Sequence, residues 1–173
     1  MRAILVTIAL LAIGFRQTPQ APAPVPPPAA LPVADEAIQQ FVRAALEDRL
    51  AAKSLPDYGV LRDQTRMGIR EDMPAARLRL DQRAVPHVHG LDFFLISQSA
   101  AQAQADRTKN TIIYLTVERP VITGDDASLV LGVDIAIPTN PRAVKMCCCD
   151  AEAHFQRVKG HWTFVKWGLE RCS

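Results

Sequence analysis

Residues 147–156, CCCDAEAHFQ, place side chains of two kinds at alternate positions. Cys147, Cys149, Ala151, Ala153 and Phe155 fall on one side; Cys148, Asp150, Glu152, His154 and Gln156 fall on the other. A period of two is the pattern of a half-buried strand, with the apolar set turned to the core. The chain then meets Lys159-Gly160 and returns through His161–Cys172. Two extended runs around a two-residue turn ending in glycine read as a β-hairpin. The tail is therefore committed to an antiparallel ladder with one apolar and one polar face.

That ladder also governs the cysteines, of which the chain has four. If Val158 pairs with His161 across the turn, Cys172 comes opposite Cys147 at a non-hydrogen-bonded position. There Cα atoms approach to about 4.5 Å, inside the roughly 4.4–6.8 Å that a disulfide spans. A register shifted by one sets Ala153 beside Trp167 and Ala151 beside Leu169, and makes Cys148 the partner. The expected bridge is Cys147–Cys172, with Cys148–Cys172 second. A structural zinc site favours cysteines with two to four residues between them, whereas neighbouring strand residues point to opposite faces. Cys147 and Cys149 do share a face, and His154 or the His87/His89 pair of the loop AVPHVHG would complete a ligand set. No two-Cys-two-His spacing occurs, and the C-x-x-C of a redox helix is missing. No metal or cofactor is expected, and His87, His89, Cys147 and Cys149 stand as the candidate ligands.

The opposite end of the chain has a different character. MRAILVTIALLAIGF sets one basic residue before an uncharged, mostly apolar run. Thirteen helical residues rise about 20 Å, short of a hydrocarbon core of about 30 Å, so residues 1–17 read as a secretory signal peptide. Ala12 and Gly14 offer a small-x-small cleavage site, with Ala21 and Ala23 as competitors. Seven of the thirteen prolines lie between Pro19 and Pro32. Proline lacks an amide donor and fixes φ, so residues 18–33 form a proline-rich, disordered linker of extended character. Residues 34–173 remain for a single domain. Setting aside Arg2 and Arg16 leaves eighteen basic residues against eighteen acidic ones. Such a neutral domain lacks the cationic cluster that a nucleic-acid partner requires. Membrane contact is expected only through an uncleaved leader.

Within the domain, Val33–Leu55 carries an apolar stripe at helical spacing, with Asp35 as its N-cap. Residues 65–71 alternate like a strand, and Leu78 and Leu80 suggest a short extended piece. Leu91–Ile96 is apolar, and Ser97 or Ser99 caps a short helix behind it. NTIIYLTVERPVITG and ASLVLGVDIAIP flank Gly124-Asp125-Asp126 as two further strands. The expected fold is α+β: an N-terminal helix packed on a curved antiparallel sheet, ending in a C-terminal four-stranded meander.

Three side chains are candidates for chemistry. Asp150 and His154 share a face with Glu152, and a carboxylate beside a histidine makes an acid–base pair. The same alternation predicts a merely solvated face. Asp134 sits among apolar residues in VLGVDIAIP and must meet solvent or a partner. No nucleophile elbow, glycine-rich phosphate loop or H-E-x-x-H is present, so no catalytic residue is assigned.

Leu95-Ile96-Ser97, Ala105-Asp106, Tyr114, Gly124-Asp125-Asp126-Ala127 and Gly160-His161-Trp162 follow one another in an order that resembles a group of small exported bacterial proteins. The resemblance covers most of residues 67–167 and implies export and an α+β fold, without an activity. A second likeness, to the cone-shaped NTF2-like domains, rests on the leading helix and the "gd-x-A" and "G-x-W" strands. The combined expectation is an exported domain, periplasmic or secreted, that binds a protein or small-molecule ligand without catalysis. The alternative is an NTF2-like hydrolase or isomerase with Asp134 or the Asp150/His154 pair as base.

Overall fold

The computed structural model describes residues 31–139 and 149–172; Cys147 and Cys148 lie outside them. Helix α1, Glu36–Ala51, begins where Asp35 accepts a hydrogen bond from the Ile38 N–H at 2.9 Å. That bond satisfies an amide the first turn cannot pair internally. Phe41, Val42, Ala45, Leu46 and Leu50 form its buried stripe. Each large side chain there contributes about 1.5–3 kcal/mol by leaving water.

Eight strands follow among the described residues: β1 Arg66–Arg70, β2 Asp72–Met73, β3 Leu78–Arg79, β4 Asp92–Ile96, β5 Ile112–Thr123, β6 Asp126–Ala136, β7 Cys149–Val158 and β8 His161–Cys172. Helix α2, Gln98–Thr108, lies between β4 and β5. Six strands make one sheet in the order β4-β1-β5-β6-β7-β8, while β2 and β3 pair separately. The α+β class holds, but the sheet is mixed, because β1 runs parallel to both β4 and β5. This corrects the antiparallel expectation. Helix α2 carries the chain from the end of β4 back to the start of β5, and such a crossover lets both strands flank β1 in the same direction.

Helix α1 covers one face of the sheet, against Met67, Ile69, Leu115, Val117, Leu129, Leu131, Ala153 and Phe155. Phe41 meets Phe155 edge-on with ring centres 5.5 Å apart, and Trp162 lies 5.0 Å from it. Gln39 is fully buried on α1. Its amide nitrogen reaches Ala34 O at 3.3 Å, and its oxygen accepts Asp81 N–H at 3.2 Å. This pairing makes the burial of its amide tolerable.

The tail hairpin forms where expected. Lys159 and Gly160 take φ of 52° and 83°, the left-handed pair that a two-residue turn needs to match strand twist. Pairing runs from Val158–His161 to Phe155–Phe164, then slips. Val165 is passed over, so that Ala153 meets Trp167; a second irregularity brings Ala151 to Glu170. Each slip moves the end of β8 one place along β7, and Cys172 is bonded to Cys149, with Cα atoms 4.1 Å apart. The expected Cys147–Cys172 and Cys148–Cys172 pairings are corrected accordingly. A single extra residue accounts for Cys148, and the second carries the partner on to Cys149.

Candidate functional site

Strand alternation sends the even-numbered residues of β1, β6 and β7 to the face opposite α1, with Tyr114, Thr116 and Glu118 of β5. Ser97 caps α2 by accepting the Ala100 N–H at 3.1 Å, and the buried Ala101 and Ala105 seat the helix on Ile96, Tyr114 and Ala136. Gly68 lies beneath this nest opposite Tyr114. A Cβ there would stand 2.8 Å from Ile96 Cγ2 and 3.1 Å from Tyr114 Cβ, so glycine is what lets these side chains of β4 and β5 close over β1.

Asp134 stands at the edge of the nest. Its Oδ2 accepts the Tyr114 hydroxyl at 2.9 Å, and its Oδ1 accepts the Ile135 N–H at 2.7 Å. Burial, helped by the Asp134 charge, pushes the Tyr114 phenol far above its ordinary value of 10.0, so it remains a donor. Asp134 is thereby occupied in satisfying a buried hydroxyl. Nearby, the buried Arg70 donates to Asp72 O at 2.9 Å and to Glu118 Oε1 at 3.1 Å. The Asp150 carboxylate takes both forks of Arg171, at 3.0 and 3.1 Å, a two-point geometry matched to guanidinium.

His154 has a different partner from the one expected. Its Nε2 lies 3.5 Å from Glu152 Oε2, while Asp150 is engaged by Arg171. Ser128 of β6 and Lys166 of β8 flank His154 across the sheet. Gly168 makes room for the pair, since a Cβ there would come within 2.9 Å of His154 Nε2.

Two open clefts meet on this half of the face. One, of about 300 Å³, is lined by Val121, Thr123, Ser128, His154, Val165 and Lys166 among others. Its neighbour, of about 230 Å³, shares Val121 and Ser128 and adds Arg119, Val130, Glu152, Leu169 and Arg171. Val121, Val165 and Leu169 are 53%, 56% and 71% exposed. Val121 and Val165 were not singled out in the sequence, and Leu169 was expected beside Ala151, where Glu170 stands instead; the irregularities that turn all three outward are the reason. Pro120 was the readable sign of one, since proline within a strand belongs at an edge or a bulge. Indeed, the β5–β6 register shifts between Glu118 and Val121, with Arg119 at a φ of 51°.

The histidine loop stands apart from the cysteines as a ligand set. His87 N–H donates to Glu47 Oε1 at 2.9 Å. Among the described residues, Cys149, Glu170 and Cys172 bring three ligating atoms together, and neither His87 nor His89 joins them. No protein-family model matches the chain, and no curated protein or solved structure matches it.

Proposed function

We propose that the protein is an exported, non-catalytic binding module whose partner docks on the half of the sheet face that α2 leaves uncovered. The observation carrying this reading is the exposure of Val121, Val165 and Leu169 around the two clefts. Clustered exposed apolar side chains with a polar rim are typical of interaction surfaces. The clefts are open, whereas small-ligand sites enclose most of their ligand, so a protein or peptide partner suits them better. Asp134 and Asp150 are engaged by Tyr114 and Arg171, which weighs against either as a catalytic base.

Export accords with the basic-then-apolar start, the proline spacer and the Cys149–Cys172 bridge, a bond typical of oxidising compartments. Among the described residues no helix is long and apolar enough to cross a membrane. Kinship with small exported bacterial proteins belongs to this reading. The NTF2-like cup belongs to the second reading, a hydrolase or isomerase, which now rests on His154 with Glu152 at 3.5 Å beside Ser128. The space between α1 and the sheet is filled by Phe41, Leu46, Leu115, Leu129 and Phe155, all buried, and this weighs against a catalytic cup there.

A photo-crosslinking residue placed at Val165 or Leu169 in the producing cell provides the test. Adducts at these positions and none at Gln40, exposed on α1, are the expected outcome. Equal labelling at all three overturns the docking face. Turnover of ester or ketosteroid substrates that disappears in His154→Ala would favour the enzyme.

A further inference from the structure

The slipped register of β7 and β8 sets Cys149 opposite Cys172 and leaves Glu170 two residues earlier on the same strand side. The ligating atoms of Cys149, Glu170 and Cys172 all lie within 4.8 Å of one another. Cys172 and Glu170 are exposed, and Cys149 is half-buried. A bridge in this position is open to attack by an external thiol.

Its surroundings are acidic on balance, because the neighbouring Arg171 is already neutralised by Asp150 across the strands. Glu170 lies on one side, and on the other Asp57 Oδ2 accepts the Cys149 N–H at 2.7 Å. Negative charge raises the cost of forming a thiolate, so this is a poor setting for a nucleophilic redox cysteine, which needs electropositive neighbours. The same charge favours a thiophilic divalent cation, which displaces the thiol protons as it binds.

We propose that reduction of the Cys149–Cys172 bridge turns this end of the hairpin into a zinc site. Two thiolates and the Glu170 carboxylate are the protein ligands, and water takes the fourth position. An external dithiol supplies two electrons and two protons, becoming a disulfide as the Cys149–Cys172 bond opens to two thiols. Zinc then replaces both protons, which pass to solvent.

The geometry needs little change. Zinc–sulfur bonds of about 2.3 Å in a tetrahedral site put two sulfurs about 3.8 Å apart. The Cα atoms stand 4.1 Å apart, and the adjoining Asp150–Arg171 and Ala151–Glu170 pairs hold the strands in that register. Side-chain rotation alone opens the sulfurs to the metal. Two soft thiolates with one carboxylate suit zinc better than magnesium or calcium.

Cobalt titration of the full chain, with and without a phosphine reductant, tests the proposal. The oxidised protein should give no thiolate-to-cobalt absorption. After reduction, the band should rise to one cobalt per chain and vanish when zinc is added. Cys149→Ser or Cys172→Ser should abolish it, Glu170→Gln should weaken cobalt binding at least about tenfold, and the Cys147→Ser/Cys148→Ser double variant should keep it. A thermal melt on the same samples adds a second readout: zinc should raise the midpoint of the reduced natural chain, and raise that of reduced Glu170→Gln by less. A reduced chain without the band overturns the site, as does a Cys172→Ser protein that binds cobalt undiminished.

Discussion

Tyr114 takes a hydroxyl into the apolar nest formed by Ile96, Ala101, Ala105 and Ala136, and Asp134 is the acceptor that makes this tolerable. Hydrogen bonds to charged partners contribute about 1.5–3 kcal/mol, and a stranded buried polar group costs a comparable amount. Tyr114→Phe should therefore lower unfolding free energy by about 1.5–3 kcal/mol in urea titrations. A loss below about 0.5 kcal/mol would mean that water already serves the pair. Asp134 was legible as an out-of-place carboxylate, yet its partner was not. Counting straight back from the Gly124 turn sets Tyr114 opposite Ile135, whereas the shift beside Pro120 moves Asp134 into line with it.

At the level of elements, α2 is fastened at both ends by side chains. Ser97 caps its start, and near its end Asp106 accepts the Thr139 N–H and hydroxyl, while Gln102 donates to Ile137 O at 2.8 Å. The Thr139 hydrogen bonds hold the Asp106 carboxyl below its ordinary value of 3.8. The folded chain thus releases this proton more readily than the unfolded one. The contribution is complete above pH 3.8, the unfolded value, and is lost as pH falls through the lower folded value. Amide protection in α2, taken relative to intrinsic exchange at each pH, should fall below that pH, and Asp106→Asn should lower it at neutral pH and flatten the acid dependence. Unchanged exchange in Asp106→Asn would show the fastening to be idle. The helices and the tail turn were legible because each carries a local mark: Asp35, Ser97 and Lys159-Gly160. The first slip in β7–β8 was weighed, since a shift by one sets Ala153 beside Trp167 as found. Nothing in WTFVKWGLE marks Val165 as the residue passed over, however, and the second slip had no sign at all. That is why the cysteine partner lay two places from the first reckoning.

The whole molecule is a sheet with unlike sides. Behind α1 it is filled by aromatic and aliphatic side chains, and on the reverse, among the described residues, it is half covered by α2 and half open. Its mixed topology was hidden from the sequence because strand direction depends on which elements a crossover joins, and no local pattern encodes that. If the chain is exported as proposed, intact mass of the mature product should match loss of residues 1–17 and at least one disulfide. A full-length chain with four free thiols would contradict it.

The root of the domain has a mechanical consequence. Val33 bridges Arg79 in parallel, Arg79 N–H donates to Pro32 O at 2.8 Å, and Ala34 N–H donates to Arg79 O at 2.9 Å. Traction along the preceding segment falls on these two main-chain bonds before the first turn of α1 bears any load. Where the proline stretch serves as a leash, tension is taken up at Arg79, and the open half of the sheet is spared.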